Sequence, residues 1–384
     1  MKKKLAIISA SYPQKPLVLK AKEMGIETHC FALDKGYEEQ NVCKQVADYF
    51  YPICVFEKEK ILEVCKEKKI DGITAIDDDK GVLTVAFVAE NMGLIGNIYA
   101  NTIIARNKYK ARQVMLAKGV NSPRFAIAHE GQDPDLTGFK YPVIVKSTDR
   151  CASIGVMKVD TEAELKKAIQ HAQQLSYSGQ AIIEEFITGM EFSAHTMSWN
   201  GKHYIIAIRD KVTSGAPHFV EIAHHIPTQF TPEIVARIKI EATKALDALN
   251  IRYGACDAEF KVAADGNVYP IEINARMGGG QSYDMIEYST GIDYIKMSIN
   301  VALGYWEEPD EIVFHYHTGI HFWCEGQEWV KHVIDNKDKY PEVVKTQIIK
   351  EEVLNPLQSS ADRNGYFIYK SDRKKTREDF KALS

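Results

Sequence analysis

The sequence lacks most of the features that would take it out of the ordinary globular class. No apolar run is long enough to cross a bilayer. The apolar part of the opening MKKKLAIISAS is too short for a signal peptide and reads as a first buried strand. The formal charge is −4, so no basic excess points to nucleic acid. Seven cysteines occur without a C-x-x-C pair, a dispersed odd set that fits reduced thiols in a cytoplasmic protein, most of them core fillers. The first strand runs into SASYPQKP, which has no G-x-G-x-x-G, so no dinucleotide site is expected there. No G-x-x-x-x-G-K-[ST] occurs either, which excludes a P-loop NTPase.

What is present suggests two or three domains in 384 residues. The first hundred alternate strand and helix: KLAIIS, a short apolar run, ETHCFAL and DGITAI read as strands, and PLVLKAKEMG, EKEKILEVCKEKKI and KGVLTVAFVAENMG as helices. A parallel α/β layer follows. The texture then changes to a helix over 109–118, strand YPVIVKST and a helix capped by Thr161 and Glu164. Next come strand QAIIEEFI, a hairpin turned at Asn200-Gly201 and a helix over 232–249 opened by Pro232. A strand near 312–323, a strand GYFIYKS and a charged tail close the chain.

The stretch VYPIEINARMGGG carries the most chemistry. Glu272, Asn274 and Arg276 are two apart, so a strand aims all three at one face. Upstream, Asp265-Gly266 is a two-residue type I′ hairpin signal. That turn puts Glu259 opposite Glu272 and Asp257 opposite Asn274. Opposed like charges are destabilising, so either the face is solvated or a cation sits between the carboxylates. Hard oxygen ligands suit Mg²⁺ or Mn²⁺. Lys146 leaves an apolar strand beside the small-residue loop STDRCASIGV, and Lys108 precedes a helix; both suit a phosphate. In AIIEEFITGMEF an apolar strand could pair its edge with adenine while an acid past the glycine meets ribose. In FHYHTGIHFW, His315, His317 and His321 share a face if the strand runs on; they form a metal site or simply pack.

Taken in order, these pieces resemble the ATP-grasp superfamily over nearly the whole chain, in the branch of L-amino-acid ligases, carnosine-synthase-type enzymes and carbamoyl-phosphate-synthase-like halves. IEINARMGGG is the most specific motif and IIEEFITGMEF the next. The resemblance implies an α/β chain, α+β in its catalytic part: a pre-ATP-grasp α/β domain at 1–105, an ATP-grasp domain at 106–305 with a lid near 123–187, and a C-terminal subdomain at 306–384. It implies ATP on Lys108, Lys146, Ser153, Glu184, Glu185, Ile187 and Glu191, with Glu184 at the adenine amino group. Two Mg²⁺ ions, with Mn²⁺ as a substitute, fall on Glu259, Glu272 and Asn274. Arg276 and Lys146 take catalytic roles. Substrate falls to Arg276, Gly278, Gly279 and, on the looser match HFVEIAHHIP, to Glu221 and His224. The implied activity is a carboxylate–amine ligase working through an acyl phosphate on small molecules, with no membrane and no nucleic acid and with a homodimer left open. Activation of bicarbonate or formate, and a non-catalytic ATP-binding module, are the alternatives.

Overall fold

The runs read as the first strands bury nearly every residue, as a sheet covered on both sides requires. In the computed structural model, which describes residues 2–34, 41–350 and 353–381, they are β1 (Lys4–Ile8), β2 (Glu27–Phe31) and β4 (Gly72–Thr74), and a strand not read from the sequence, β3 (Tyr49–Tyr51), joins them. They pair in parallel in the order β3-β2-β1-β4. The chain leaves β1 to one side and returns on the other at β4. The carboxyl ends of β1 and β4 therefore frame a switch point, the place where open α/β sheets receive ligands. The acidic run Asp77–Asp79 follows β4 there.

A second, antiparallel sheet holds β5 (Phe125–Ala128), β6 (Val143–Ser147), β7 (Met157–Val159) and β8 (Ala181–Glu185) in the order β5-β8-β6-β7. Helix Glu162–Leu175 covers it through Leu165, Ala168 and Ala172. The Glu164 carboxylate accepts from the Thr161 N–H, the return half of the expected capping box.

The third sheet has eight strands: β9 (Gly189–Trp199), β10 (Lys202–Thr213), β11 (Glu221–Ile226), β12 (Gly254–Ala263), β13 (Val268–Asn274), β14 (His317–Trp323), β15 (Val343–Ile348) and β16 (Gly365–Ser371). Their order is β13-β12-β9-β10-β11-β14-β16-β15, antiparallel throughout. Helix Pro232–Ala248 buries Ile238, Ala242, Ala245 and Leu246 on one face of it, against Phe192, Ala194, Ala258 and Phe260. Asn200 and Gly201 both have positive φ, as the type I′ turn of β9–β10 demands.

Three expectations need correction. The β12–β13 turn is not the two-residue type: Ala263 N–H bonds the Asn267 carbonyl, and of Asp265 and Gly266 only Gly266 has positive φ. This is a three-residue loop, one residue out of the expected register. A bulge between Glu259 and Phe260 puts that residue back, so Glu259 still faces Glu272 and Asp257 still faces Asn274. Arg276 lies beyond the end of β13 rather than on it. His317 and His321 share a face of β14, but His315 does not join them, because the strand starts at His317. His321 packs among His225, Trp329, Phe367 and Phe380, and burial holds its pKa down at about 3. Helices Ser282–Thr290 and Tyr294–Ala302, and strand β15, go beyond the elements expected from sequence. Those two helices carry Met285, Ile286, Tyr294 and Ile299 into the core that joins the first sheet to the third.

Candidate active site

A cleft of about 260 Å³ opens where the three sheets meet. One end is walled by the second sheet. Lys146 and Glu184 lie on neighbouring strands β6 and β8, and their side chains meet at 2.5 Å. Arg112, on helix Lys108–Ala117, takes the other Glu184 oxygen at 2.5 Å. Burial pushes the Glu184 carboxyl up, but the Arg112 and Lys146 charges outweigh it and hold it at about 2. An adenine amino group approaching Glu184 therefore competes with two cations. The Glu185 N–H donates to the Arg124 carbonyl and the Phe186 N–H to the Pro142 carbonyl. Ser153, Glu185, Ile187 and Glu191 line this end, and Lys261 pairs with Glu191 at 3.1 Å. The loop after β6 has one glycine at positive φ, Gly155, and also sets Ala152 and Ser153 at φ 56° and 59°. A loop poor in glycine thus takes up left-handed backbone all the same.

The middle of the cleft holds the opposed carboxylates. Lys108 reaches Glu272 at 3.0 Å and Arg106 stands at 3.5 Å, while Lys211 reaches Glu259 at 2.8 Å. Burial raises the Glu259 carboxyl, and the charges of Asp257, Glu221 and Glu272 add to it against Lys211, bringing it to about 7. Asn274 lies behind this wall. Its nitrogen, turned toward the acids, donates to Asp79 Oδ1 and Glu272 Oε1, each at 3.2 Å. Among the described residues no three His, Cys, Asp or Glu are placed to hold a metal by themselves. A metal here would rest on two carboxylates and an amide, completed by ligand oxygens.

The far end belongs to Arg276. Asp79, from the switch point of the first sheet, grips it with both oxygens at 3.0 and 3.1 Å, and Asp257 stands at 3.4 Å. Burial raises the Asp79 carboxyl, but the Arg276 and Arg106 charges bring it down to about 2. Glu221 is held by Lys211 at 3.1 Å and by Arg363 at 2.8 Å. His224 is buried with Nδ1 unpartnered, and burial together with Arg209 and Arg363 keeps it neutral. The glycine run explains how so many charged groups fit. A Cβ on Gly278 would stand 2.6 Å from Asp257 Oδ2, one on Gly279 would stand 2.2 Å from Asp77 Oδ1, and one on Gly280 would stand 3.4 Å from His224 Nε2. The run admits the site's own side chains, and the space beside Gly278 is filled by Asp257 and His195. Gly279 lines the cleft; Gly278 and Asn274 do not.

Sequence reasoning missed Asp77, Asp79, Arg209, Lys211, Arg112 and Arg363. An acidic run after the strand beside β1 was a legible signal for Asp77 and Asp79. Arg209 and Lys211 are two apart on one strand, the same pattern that exposed Glu272. Arg363 has no local signature.

Residues 139–284 match the model of the ATP-grasp domain. Over 265 residues the chain is 25% identical to the carbamoyl phosphate synthase large chain of a Thermoanaerobacter species, covering 67% of this chain but only 24%, about a quarter, of that relative. Over 225 residues it is 30% identical to the D-alanine–D-alanine ligase of Pediococcus pentosaceus, covering 54% of this chain and 60% of that one. The crystal structure of an L-amino acid ligase from Bacillus licheniformis superposes with a TM-score of 0.82 at 25% identity, covering 100% of this chain and 96% of that one.

Proposed function

We propose that this chain, which carries an ATP-grasp domain and has that fold along its length, is an ADP-forming ligase that joins a carboxylate to an amine through an acyl phosphate. One observation carries the reading. A single cleft holds a buried lysine at one end, opposed carboxylates in the middle with a second buried lysine on one of them, and a doubly anchored arginine beyond. Nucleotide binding alone would not require Arg276.

On this reading the Glu185 carbonyl and the Ile187 N–H pair with adenine, and Glu191 takes the ribose hydroxyls. Lys108 and Lys146 meet the phosphates, with residues 151–156 over them. Glu184 fixes Lys146 rather than acting alone. Glu259, Glu272 and Asn274 would hold Mg²⁺, or Mn²⁺ in its place, which neutralises phosphate charge when bound. A substrate carboxylate attacks the γ-phosphorus, ADP leaves, and an amine attacks the acyl carbon to expel phosphate. Arg276 stabilises the negative charge that develops on oxygen in both steps, and Asp79 and Asp257 hold it in place for that work. Closure of the cleft over the substrates would keep water from the acyl phosphate.

The amine and the acid are amino acids on the likeness to the L-amino acid ligase and the D-alanine–D-alanine ligase. The match to carbamoyl phosphate synthase supports a second reading, activation of bicarbonate. Carboxylate labelled with ¹⁸O distinguishes acyl phosphate chemistry from simple ATP binding: label must appear in released phosphate. Label that stays wholly in substrate and product refutes the ligase reading, and phosphate release that depends on bicarbonate without any amino acid favours the second.

A further inference from the structure

A substrate ammonium needs a carboxylate with charge to spare, and the expected one has none. Lys211 and Arg363 each hold an oxygen of Glu221. Asp77 stands on the same wall system of the cleft, exposed to it, and its side chain has no hydrogen bond or ion pair among the described residues. It is also fixed. Ile76 bridges Met277, the Asp77 N–H donates to the Met277 carbonyl at 3.1 Å, and residue 77 has φ 50°, in the left-handed region. Gly279 packs flat against the carboxylate, where a Cβ would come within 2.2 Å of Oδ1.

The surroundings narrow the ligand further. The charges that bear most on Asp77 belong to Arg276, Asp79, Asp257 and Arg363. Arg276 is already committed to both oxygens of Asp79 and to Asp257. A rigid carboxylate without a partner, beside the arginine that meets the acyl phosphate, fits a protonated primary amine.

We infer that Asp77 binds the ammonium of the incoming amine substrate, presented by the first sheet at the Arg276 end of the cleft. The inference rests on the ligase reading, and hydroxylamine separates the two. Being small and uncharged at mildly alkaline pH, it can trap an acyl phosphate as a hydroxamate without an ammonium site. With the twenty L-amino acids and ATP supplied together, wild-type protein should yield both peptide, read by mass spectrometry, and hydroxamate when hydroxylamine is added. Asp77→Asn should raise KM for the amine roughly ten- to a hundredfold, as loss of a charge-assisted hydrogen bond implies. It should leave hydroxamate formation and KM for ATP at wild-type values, and Asp77→Glu should recover part of the loss. An unchanged amine KM in Asp77→Asn, or amide and hydroxamate falling together, overturns the assignment while the ligase stands. Absence of hydroxamate from the wild-type protein overturns the ligase reading, and the assignment with it.

Discussion

At the scale of single residues, the site is governed by which acids are neutralised in place and which await a ligand. Glu272 and Glu221 illustrate the two kinds of loss. Glu272→Gln keeps the shape and one acceptor oxygen for Lys108, so the fold should hold. Turnover should fall by about two orders of magnitude, the scale of losing one stabiliser of transition-state charge; steady-state kinetics with saturating Mg²⁺ and ATP reads it, and wild-type turnover would remove Glu272 from the metal set. Glu221→Ala should act on stability instead. It strips Arg363 of its carboxylate inside the protein and leaves Lys211 only Glu259. Uncovering a buried charge costs about 3 kcal/mol, visible as a lower urea midpoint with an unchanged slope. A variant with full stability but a raised amino-acid KM would return Glu221 to the role of ammonium partner.

At the scale of elements, legibility depended on whether a signal was local. The parallel layer, the β9–β10 turn and the capped helix after β7 could be read because periodicity and turn chemistry are properties of adjacent residues. The β12–β13 hairpin was read to the right pairing through the wrong turn: a three-residue loop shifts the register by one, and a bulge beside Glu259 shifts it back. A bulge has no sequence signature of its own, so neither departure was visible, and the Glu259–Glu272 opposition survived because the two cancel. Arg112 and Arg363, which reach acids on other elements, were invisible because their partners lie far along the chain. Gly189 is another such place. It opens β9 beside the nucleotide end, and a Cβ there would stand 2.0 Å from the Val262 carbonyl. Gly189→Ala must push β9 off β12, costing about 1 to 3 kcal/mol as overpacking does. Because Ile187 and Glu191 flank it, KM for ATP should rise together with the fall in Tm; a variant that loses stability but keeps its ATP KM would show that the nucleotide end does not depend on this pairing.

At the scale of the whole molecule, the three sheets are joined at the cleft by charge, and that charge gives the protein a pH profile with two sides. Asp79, Glu184 and Glu221 are all held at about 2, Asp79 and Glu184 by cations from another part of the fold. An acid depressed in the folded state contributes stability above its ordinary pKa, near 4, and loses it as pH falls toward 2. Glu259 goes the other way, burial raising it to about 7. Between its ordinary value and this one, the folded state keeps a proton that the unfolded chain has released, so its contribution declines as pH rises through that window. The ligand-free protein should therefore be most stable near the foot of that window, with Tm falling on both sides. A cation bound to the ionised Glu259 removes the alkaline loss, because binding a metal to a carboxylate displaces its proton. The rise in Tm on adding Mg²⁺ with ATP should accordingly be larger at pH about 8 than at pH about 6, and Glu259→Gln should flatten the difference. An equal rise at both, measured by scanning calorimetry on wild-type protein, would mean that Glu259 carries no proton at neutral pH or holds no cation, and the metal would then have to rest on Glu272 and Asn274 without it.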